Sequence, residues 1–150
     1  MNSVVATNRQ AGHKYQLFDK YEVGIALKGS EVKSLRENRV NLKDSFVRIL
    51  RGEAFLFNCH ISPYSHIQDI RYADPTRTRK LLLKRTEIDR LAGQLSRKGH
   101  TIVPLSIYFK KGLAKVEIAV AKGKQEFDKR ETIKRKIADR EAQRAIKRRK

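Results

Sequence analysis

The chain holds one cysteine, Cys59, in 150 residues. A disulfide framework is therefore excluded, and so is a structural zinc site built on two or more thiolates. That scarcity points to a reducing, cytoplasmic compartment. Long apolar runs are missing as well. No window approaches ~18 uninterrupted apolar residues, so no segment is expected to span a membrane. Val4-Val5-Ala6 is too short for the apolar part of a signal peptide. Acidic residues are scarce against basic ones: 16 Asp+Glu face 35 Lys+Arg, a net charge of +19 and a pI near 10.4. That balance argues against a strongly basic main partner. It makes a polyanion the default one, either nucleic acid or an anionic membrane surface. Catalytic signatures are absent too, with no Ser/His/Asp pattern, Gly-rich phosphate loop or carboxylate pair. His13, His60, His66 and His100 show no His-x3-His spacing, and Cys59, His60 and His66 make a weak metal set. The expectation is a binding protein, not an enzyme, with no cofactor and no metal.

What is present suffices for one modest core. Hydrophobic residues make up 39% and charged residues 34%, the latter above the ~25% typical of soluble domains. Residues 123–150 hold 12 basic and 5 acidic residues, a net of +7, and residues 1–122 carry the remaining +12. A boundary is placed at Gly123, with a folded domain over 1–122 and a basic tail over 123–150. On a helical wheel the tail's cations fall on every side, with Ile133 and Ile137 on one face and Ala138, Ala142 and Ile146 roughly opposite. Such a segment has no stripe to bury. It is expected to be disordered alone and helical only against a polyanion.

The body reads mostly as strands. Tyr15 to Leu27 is rich in aromatic and β-branched residues, and Gly24 inside it marks a bulge or a close approach. Asn41 to Leu50 and Ala54 to Ile61 flank Arg51-Gly52-Glu53, a hairpin signal, and Thr101 to Phe109 and Leu113 to Ala121 flank Lys110-Lys111-Gly112. In the last run Val116, Ile118 and Val120 alternate with Lys115, Glu117 and Ala119, which is period two. Two helices interrupt the strands. Ser30 is the expected cap of one reaching Leu35. Thr86, with Asp89 three residues on, is the expected cap of another ending at Gly99, with Ile88, Leu91, Ala92 and Leu95 on one face. The fold class is mainly β, an oligonucleotide-binding (OB) type antiparallel barrel with short flanking helices.

Three stretches mix the groups that meet RNA. Arg77-Thr78-Arg79-Lys80 precedes Leu81-Leu82-Leu83, which is either a basic RNA-contacting edge or a solvated rim beside core leucines. Three consecutive leucines cannot all point inward, so one is a candidate for exposure. Asn8 to Tyr15, with Arg9 and His13, is either an RNA-contacting arm or a frayed terminus. Glu22 and Glu31 are either ion-paired groups or acceptors for base amino groups and 2′-hydroxyls. In the tail, Phe127 beside a dense charge cluster is either a stacking group or part of a solvated segment.

GIALKGSEVKSLRENRVNLKDS (24–45), PTRTRKLLLKRTEIDRL (75–91), KVEIAVAKGK (115–124) and FDKRE (127–131) resemble the SmpB family, the SsrA-binding proteins of bacteria. The resemblance runs from Asn8 to about Arg130. It implies an OB-type barrel that binds transfer-messenger RNA (tmRNA) at its tRNA-like domain. The pair then enters ribosomes stalled on mRNA lacking a stop codon. The protein stands in for the anticodon stem, and the tail folds as a helix in the decoding centre and empty mRNA channel. Ribosome rescue and degradation tagging follow. Alanyl-tRNA synthetase and elongation factor Tu are implied as indirect partners through the RNA. Carried over by residue, Asn8, Glu22, Leu82 and Lys115 match positions that meet tmRNA, with Arg9, His13, Tyr15, Arg79 and Lys80 as further contacts. Gly123, Lys124, Phe127, Asp128, Lys129, Arg130 and Ile146 match the tail positions that meet the ribosome. Gln125 replaces the family's second lysine, and Phe127 stands where His or Tyr is common. The competing reading is a structural ribosomal protein.

Overall fold

The computed structural model describes residues 3–63, 74–124 and 140. Its strands are β1 (Ser3–Thr7), β2 (Tyr15–Ile25), β3 (Val40–Asn41), β4 (Phe46–Leu50), β5 (Glu53–Phe57), β6 (His60–Ile61), β7 (Arg79–Leu82), β8 (His100–Lys110) and β9 (Leu113–Gly123). Its helices are α1 (Ala11–Lys14), α2 (Gly29–Arg36) and α3 (Arg85–Leu95).

Both hairpin signals hold. Leu50 pairs with Glu53 across Arg51-Gly52, and Lys110 pairs with Leu113 across Lys111-Gly112. All four turn residues have positive φ, at 54° and 74° in the first turn and 51° and 77° in the second. Positive φ at both central residues is the type I′ geometry, whose twist matches that of the flanking strands. Two of the longer expected strands are broken by residues in the same left-handed region. Asp44 (φ 61°) separates β3 from β4, where the Asn41 side chain accepts the Lys43 N–H at 2.8 Å. Asn58 (φ 60°) separates β5 from β6. The short β3 and β6 pair with each other in a sheet of their own.

Strands β8, β4, β5, β7, β2 and β9 follow one another in a ring, and β9 pairs back to β8. This closed antiparallel barrel is the expected OB-type architecture, and closure leaves the ring itself without an open edge. β8 meets three neighbours. One edge runs along β9, and the other is shared between β4 (Val47 opposite Ile102) and β1 (Ser3 to Thr7 opposite Phe109 to Ser106). The core inside the ring gathers Val23, Ile25, Leu56, Leu81, Ile102, Ile107, Val116, Ile118 and Val120. Leu35 of α2 and Leu91 of α3 are fully buried in the same cluster, so the helices are held to the barrel by apolar contact.

The helix starts differ from expectation. α2 is capped at Lys28 and α3 at Lys84, not at Ser30 and Thr86. In each, the carboxylate three residues on accepts the backbone N–H of the cap residue: Glu31 from Lys28 at 2.8 Å and Glu87 from Lys84 at 3.0 Å. A lysine ammonium cannot accept a hydrogen bond, so the carboxylate half of the capping box works alone. β7 is a strand that sequence patterning missed. Its alternation places Arg79 and Leu81 inward and Lys80 and Leu82 outward.

Candidate nucleic-acid interface

Strand register assembles one outward row across five strands. Val4 of β1 lies opposite Tyr108 of β8, Tyr108 opposite Lys115 of β9, Lys115 opposite Gly24 of β2, and Gly24 opposite Leu82 of β7. A parallel row beside it runs Thr7, Ser106, Glu117 and Glu22. Gly24 is a close approach and not a bulge, since the register shift in β2 falls between Leu17 and Lys20. A Cβ on Gly24 would meet the Leu82 Cβ and Cδ1 at 3.3 Å, so the missing side chain is what lets Leu82 lie over β2. Leu82 is 55% exposed while Leu81 is 1% exposed, which resolves the leucine triplet.

Glu22 is fixed from two sides. The Tyr108 hydroxyl donates to its carboxylate, and Lys110 Nζ lies at 3.2 Å. The hydrogen bond from Tyr108 and then that from Lys110 hold the Glu22 carboxyl below its ordinary range, so it stays ionised. Burial and the Glu22 carboxylate push the Tyr108 hydroxyl up, so it remains a donor at every relevant pH. The wall therefore presents an oriented acceptor between cations, with an exposed leucine beside it. Base amino groups and 2′-hydroxyls are donors that such an acceptor can take, and ribose or base faces can pack on the leucine.

The N-terminal arm is docked, not frayed. β1 pairs with β8, and Asn8 follows it, donating its backbone N–H to the Leu105 carbonyl at 2.7 Å and its Nδ2 to the Pro104 carbonyl at 3.0 Å. Asn8 thus stands beside the Thr7 end of the second row. α1 buries Ala11 against Val103 and Ala121, with Tyr15 and Leu17 packed on the same small cluster. Arg9 lines a cleft with Val4, Val5, Thr7 and Asn41 beside β1. His13 is exposed on α1, and Tyr15 pairs with Gly123 where β9 ends. There Lys124 Nζ reaches the Gly12 carbonyl at 3.4 Å. Asn8, Glu22, Leu82 and Lys115 are brought to one wall, whereas His13, Tyr15, Gly123 and Lys124 gather near the Gly123 end of β9 and Arg9 lines the cleft beside β1.

One candidate contact is corrected. Arg79 is fully buried and cannot meet an RNA phosphate. Its Nε donates to Glu31 at 2.7 Å, its Nη1 to the Cys59 carbonyl at 2.6 Å and its Nη2 to the Pro75 carbonyl at 3.0 Å. Arg77 closes on the other oxygen of Glu31, so Glu31 is an ion-pair residue as well as a helix cap. Desolvation pushes the Glu31 carboxyl up, but hydrogen bonds from Arg77, the Lys28 N–H and Arg79 outweigh it and hold the group below its ordinary 4.5. Lys80 remains exposed, paired with Glu53 at 3.2 Å. Burial pushes the Cys59 thiol up to about 11, so in this setting it stays protonated at neutral pH. Tyr108, Lys110 and Gly24 are site residues that sequence reasoning did not assign. Gln125, Phe127, Asp128, Lys129, Arg130 and Ile146 lie outside the described residues, as does His66.

The family model described as "SmpB protein" matches residues 5–148, which carries the match past the motifs that end at Glu131. A protein named SsrA-binding protein from Geobacillus thermodenitrificans (strain NG80-2) is 54% identical over 147 residues, 97% of this chain and 94% of its own. One of the same name from Sulfurihydrogenibium sp. (strain YO3AOP1) is 57% identical over 144 residues, 96% of this chain and 94% of its own. A solved structure described as "tmRNA-SmpB: a journey to the center of the bacterial ribosome" superposes with a TM-score of 0.67 at 48% identity, covering 79% of this chain and 83% of that one. With relatives this similar over nearly its full length, on a barrel of the same build, the chain belongs to the SmpB family.

Proposed function

We propose that this protein binds tmRNA at its tRNA-like domain and brings it to ribosomes stalled on mRNA without a stop codon. It acts in the cytoplasm as a binding protein and contributes no catalytic group. The names of its relatives and of the similar ribosomal structure supply the two partners. The observation that carries the reading is the outer row of Leu82, Gly24, Lys115 and Tyr108 with the tethered Glu22 carboxylate. Those groups suit the splayed bases and 2′-hydroxyls of a folded RNA elbow better than a plain phosphate rail, because an acid on a purely electrostatic surface would repel. Asn8, with Nδ2 engaged by Pro104, offers its amide oxygen to the same ligand. Lys80 and the exposed His13 lie where the backbone of that RNA can pass.

In this reading residues 123–150 enter the decoding centre and the empty mRNA channel, where phosphates on all sides neutralise a segment charged all round. Lys124, Phe127, Asp128, Lys129 and Arg130 meet the decoding centre, and Ile146 sits farther down the channel. Alanyl-tRNA synthetase and elongation factor Tu act on the bound RNA and not on the protein directly. A chain ending at residue 122 is expected to bind tmRNA in a gel shift as the full chain does, and to add no tag to nascent chains on stalled ribosomes. Tagging by the shortened chain would refute the role of the tail. Equal affinity for tmRNA and bulk tRNA would refute specific recognition by the barrel.

A further inference from the structure

β7 is a short strand whose own sequence does not settle its register. It pairs Arg79, Lys80 and Leu81 with β5 and Leu81 and Leu82 with β2. The run is Arg79-Lys80-Leu81-Leu82-Leu83-Lys84, cations and then leucines. Slipped by one residue, the strand turns Lys80 and Leu82 inward in place of Arg79 and Leu81, and Leu83 comes to lie opposite Gly24. At both fully buried positions the class of side chain is unchanged, a cation for a cation and a leucine for a leucine. Lys84 takes the half-buried place of Leu83, where a lysine stem can lie along apolar surface. Hydrophobic burial thus separates the two registers poorly. The opposite slip buries Lys80 among the core leucines and is excluded.

The socket beneath β7 does separate them. Three acceptors surround Arg79, and each takes a different nitrogen. Glu31 Oε2 lies 2.7 Å from Nε, the Cys59 carbonyl 2.6 Å from Nη1 and the Pro75 carbonyl 3.0 Å from Nη2. Glu31 comes from α2, Cys59 from between β5 and β6, and Pro75 from the approach to β7. Arg79 itself is fully buried. A guanidinium presents its donors in a rigid fork that suits acceptors spread in this way. An ammonium is a single point, and in its place a buried carbonyl would go unpaired.

We infer that Arg79 is a positioning residue for RNA binding: the socket of Glu31, Cys59 and Pro75 tells arginine from lysine and so sets the register that turns Lys80 and Leu82 outward. The inference rests on the wall proposed above as the surface that meets tmRNA. Arg79 touches no RNA itself. Fixing a register is the best-attested use of a buried ion pair, more so than adding stability. Gly24 serves as the reporter, because its Cα lies under Leu82, close enough that a Cβ there would meet the Leu82 Cβ and Cδ1 at 3.3 Å.

The test exchanges the two cations in the full chain, Arg79→Lys together with Lys80→Arg, which keeps composition and net charge. Proton contacts between Gly24 and labelled leucine methyls report the register, and titration with the tRNA-like domain of tmRNA reports binding. In the parent, Gly24 is expected to meet Leu82 methyls alone. In the exchanged chain a Gly24–Leu83 contact is expected, as the arginine at position 80 takes the socket. RNA binding is expected to weaken about fivefold or more, because a leucine then stands where the Lys80 cation was. Restoring Arg79, which leaves Lys80→Arg alone, is expected to return the Gly24–Leu82 contact and an affinity within about twofold of the parent. A Gly24–Leu82 contact alone in the exchanged chain, at whatever stability, would overturn the inference. If the exchanged chain does not fold, Arg79→Lys carries the test: both contacts are expected, and Leu82 alone overturns it. A parent chain that fails to bind the tRNA-like domain would refute the wall instead, with the methyl contacts still reading the register.

Discussion

On the wall proposed to face RNA, a carboxylate in a strongly basic protein has to be held in place, and Tyr108 does the holding. Without its hydroxyl, Glu22 keeps the exposed Lys110 as its hydrogen-bond partner among the described residues and loses its fixed direction. Tyr108→Phe is therefore expected to weaken tmRNA binding, as Glu22→Ala is, despite leaving the net charge untouched. The double variant should be no weaker than the worse single one, because both changes remove the same oriented acceptor. Titrating all three against the tRNA-like domain checks this, and tighter binding by Glu22→Ala would mean that the acid merely repels phosphate. Glu31 makes the opposite case, a carboxylate whose task is internal. Its folded-state pKa lies below the ordinary value of 4.5, so the stability it contributes is fully present above that pH and is lost as pH falls through the lower folded value. Glu31→Gln leaves Arg79 buried without its counter-charge, which costs about 3–5 kcal/mol at neutral pH. Thermal melts at descending pH should show the gap between parent and variant closing on the acid side, and a constant gap would contradict the ion-pair assignment. Spacing alone ranked these two glutamates together, and only the resemblance singled out Glu22. In the structure the pairing of residues 86 and 48 positions apart separates them.

At the level of elements, local chemistry was readable where it decides the conformation. Gly52 and Gly112 announce their hairpins because few other residues tolerate φ near +75° at that turn position. Gly112→Ala is expected to cost about 1 kcal/mol, read as a lower midpoint in urea at unchanged slope. A changed slope would indicate that the hairpin partly unfolds instead. β7 was hidden for the complementary reason. Period-two reading looks for an apolar residue at every inward position, and Arg79 occupies one of them. Its burial depends on the Glu31 carboxylate and the Cys59 carbonyl, 48 and 20 positions away, as well as on the nearby Pro75 carbonyl. The helix caps misled in another way. Ser30 and Thr86 have the right side chains, but Glu31 and Glu87 set the start by reaching back to Lys28 and Lys84. The bulge of β2 at Leu17 and Lys20 left no mark in composition at all.

Across the whole molecule, a net charge of +19 divides between a body of +12 and a terminal segment of +7. If the body alone grips the tRNA-like domain, log affinity plotted against log salt should have the same slope for the full chain and for residues 1–122, to within about one. A full chain steeper by several would place the terminal cations on the same RNA. That one leucine of the triplet is exposed could be read from parity, its identity as Leu82 from the resemblance, and a polyanionic partner from counting charge. The wall itself could not, because Val4, Gly24, Leu82, Tyr108 and Lys115 become neighbours only when the ring closes.

β9 carries Lys115 near one end and Gly123 at the other, and both of its edges are laddered, to β2 and to β8. Anything gripped at Lys115 is thus joined to anything that holds the chain beyond Gly123 by a single extended segment of roughly 26 Å. Tension applied through residue 124 runs along that strand and loads two ladders in shear, all bonds sharing it, instead of peeling them open one at a time. The barrel then behaves as a stiff strut of fixed length, able to transmit a pull from one end to the other with little stretch.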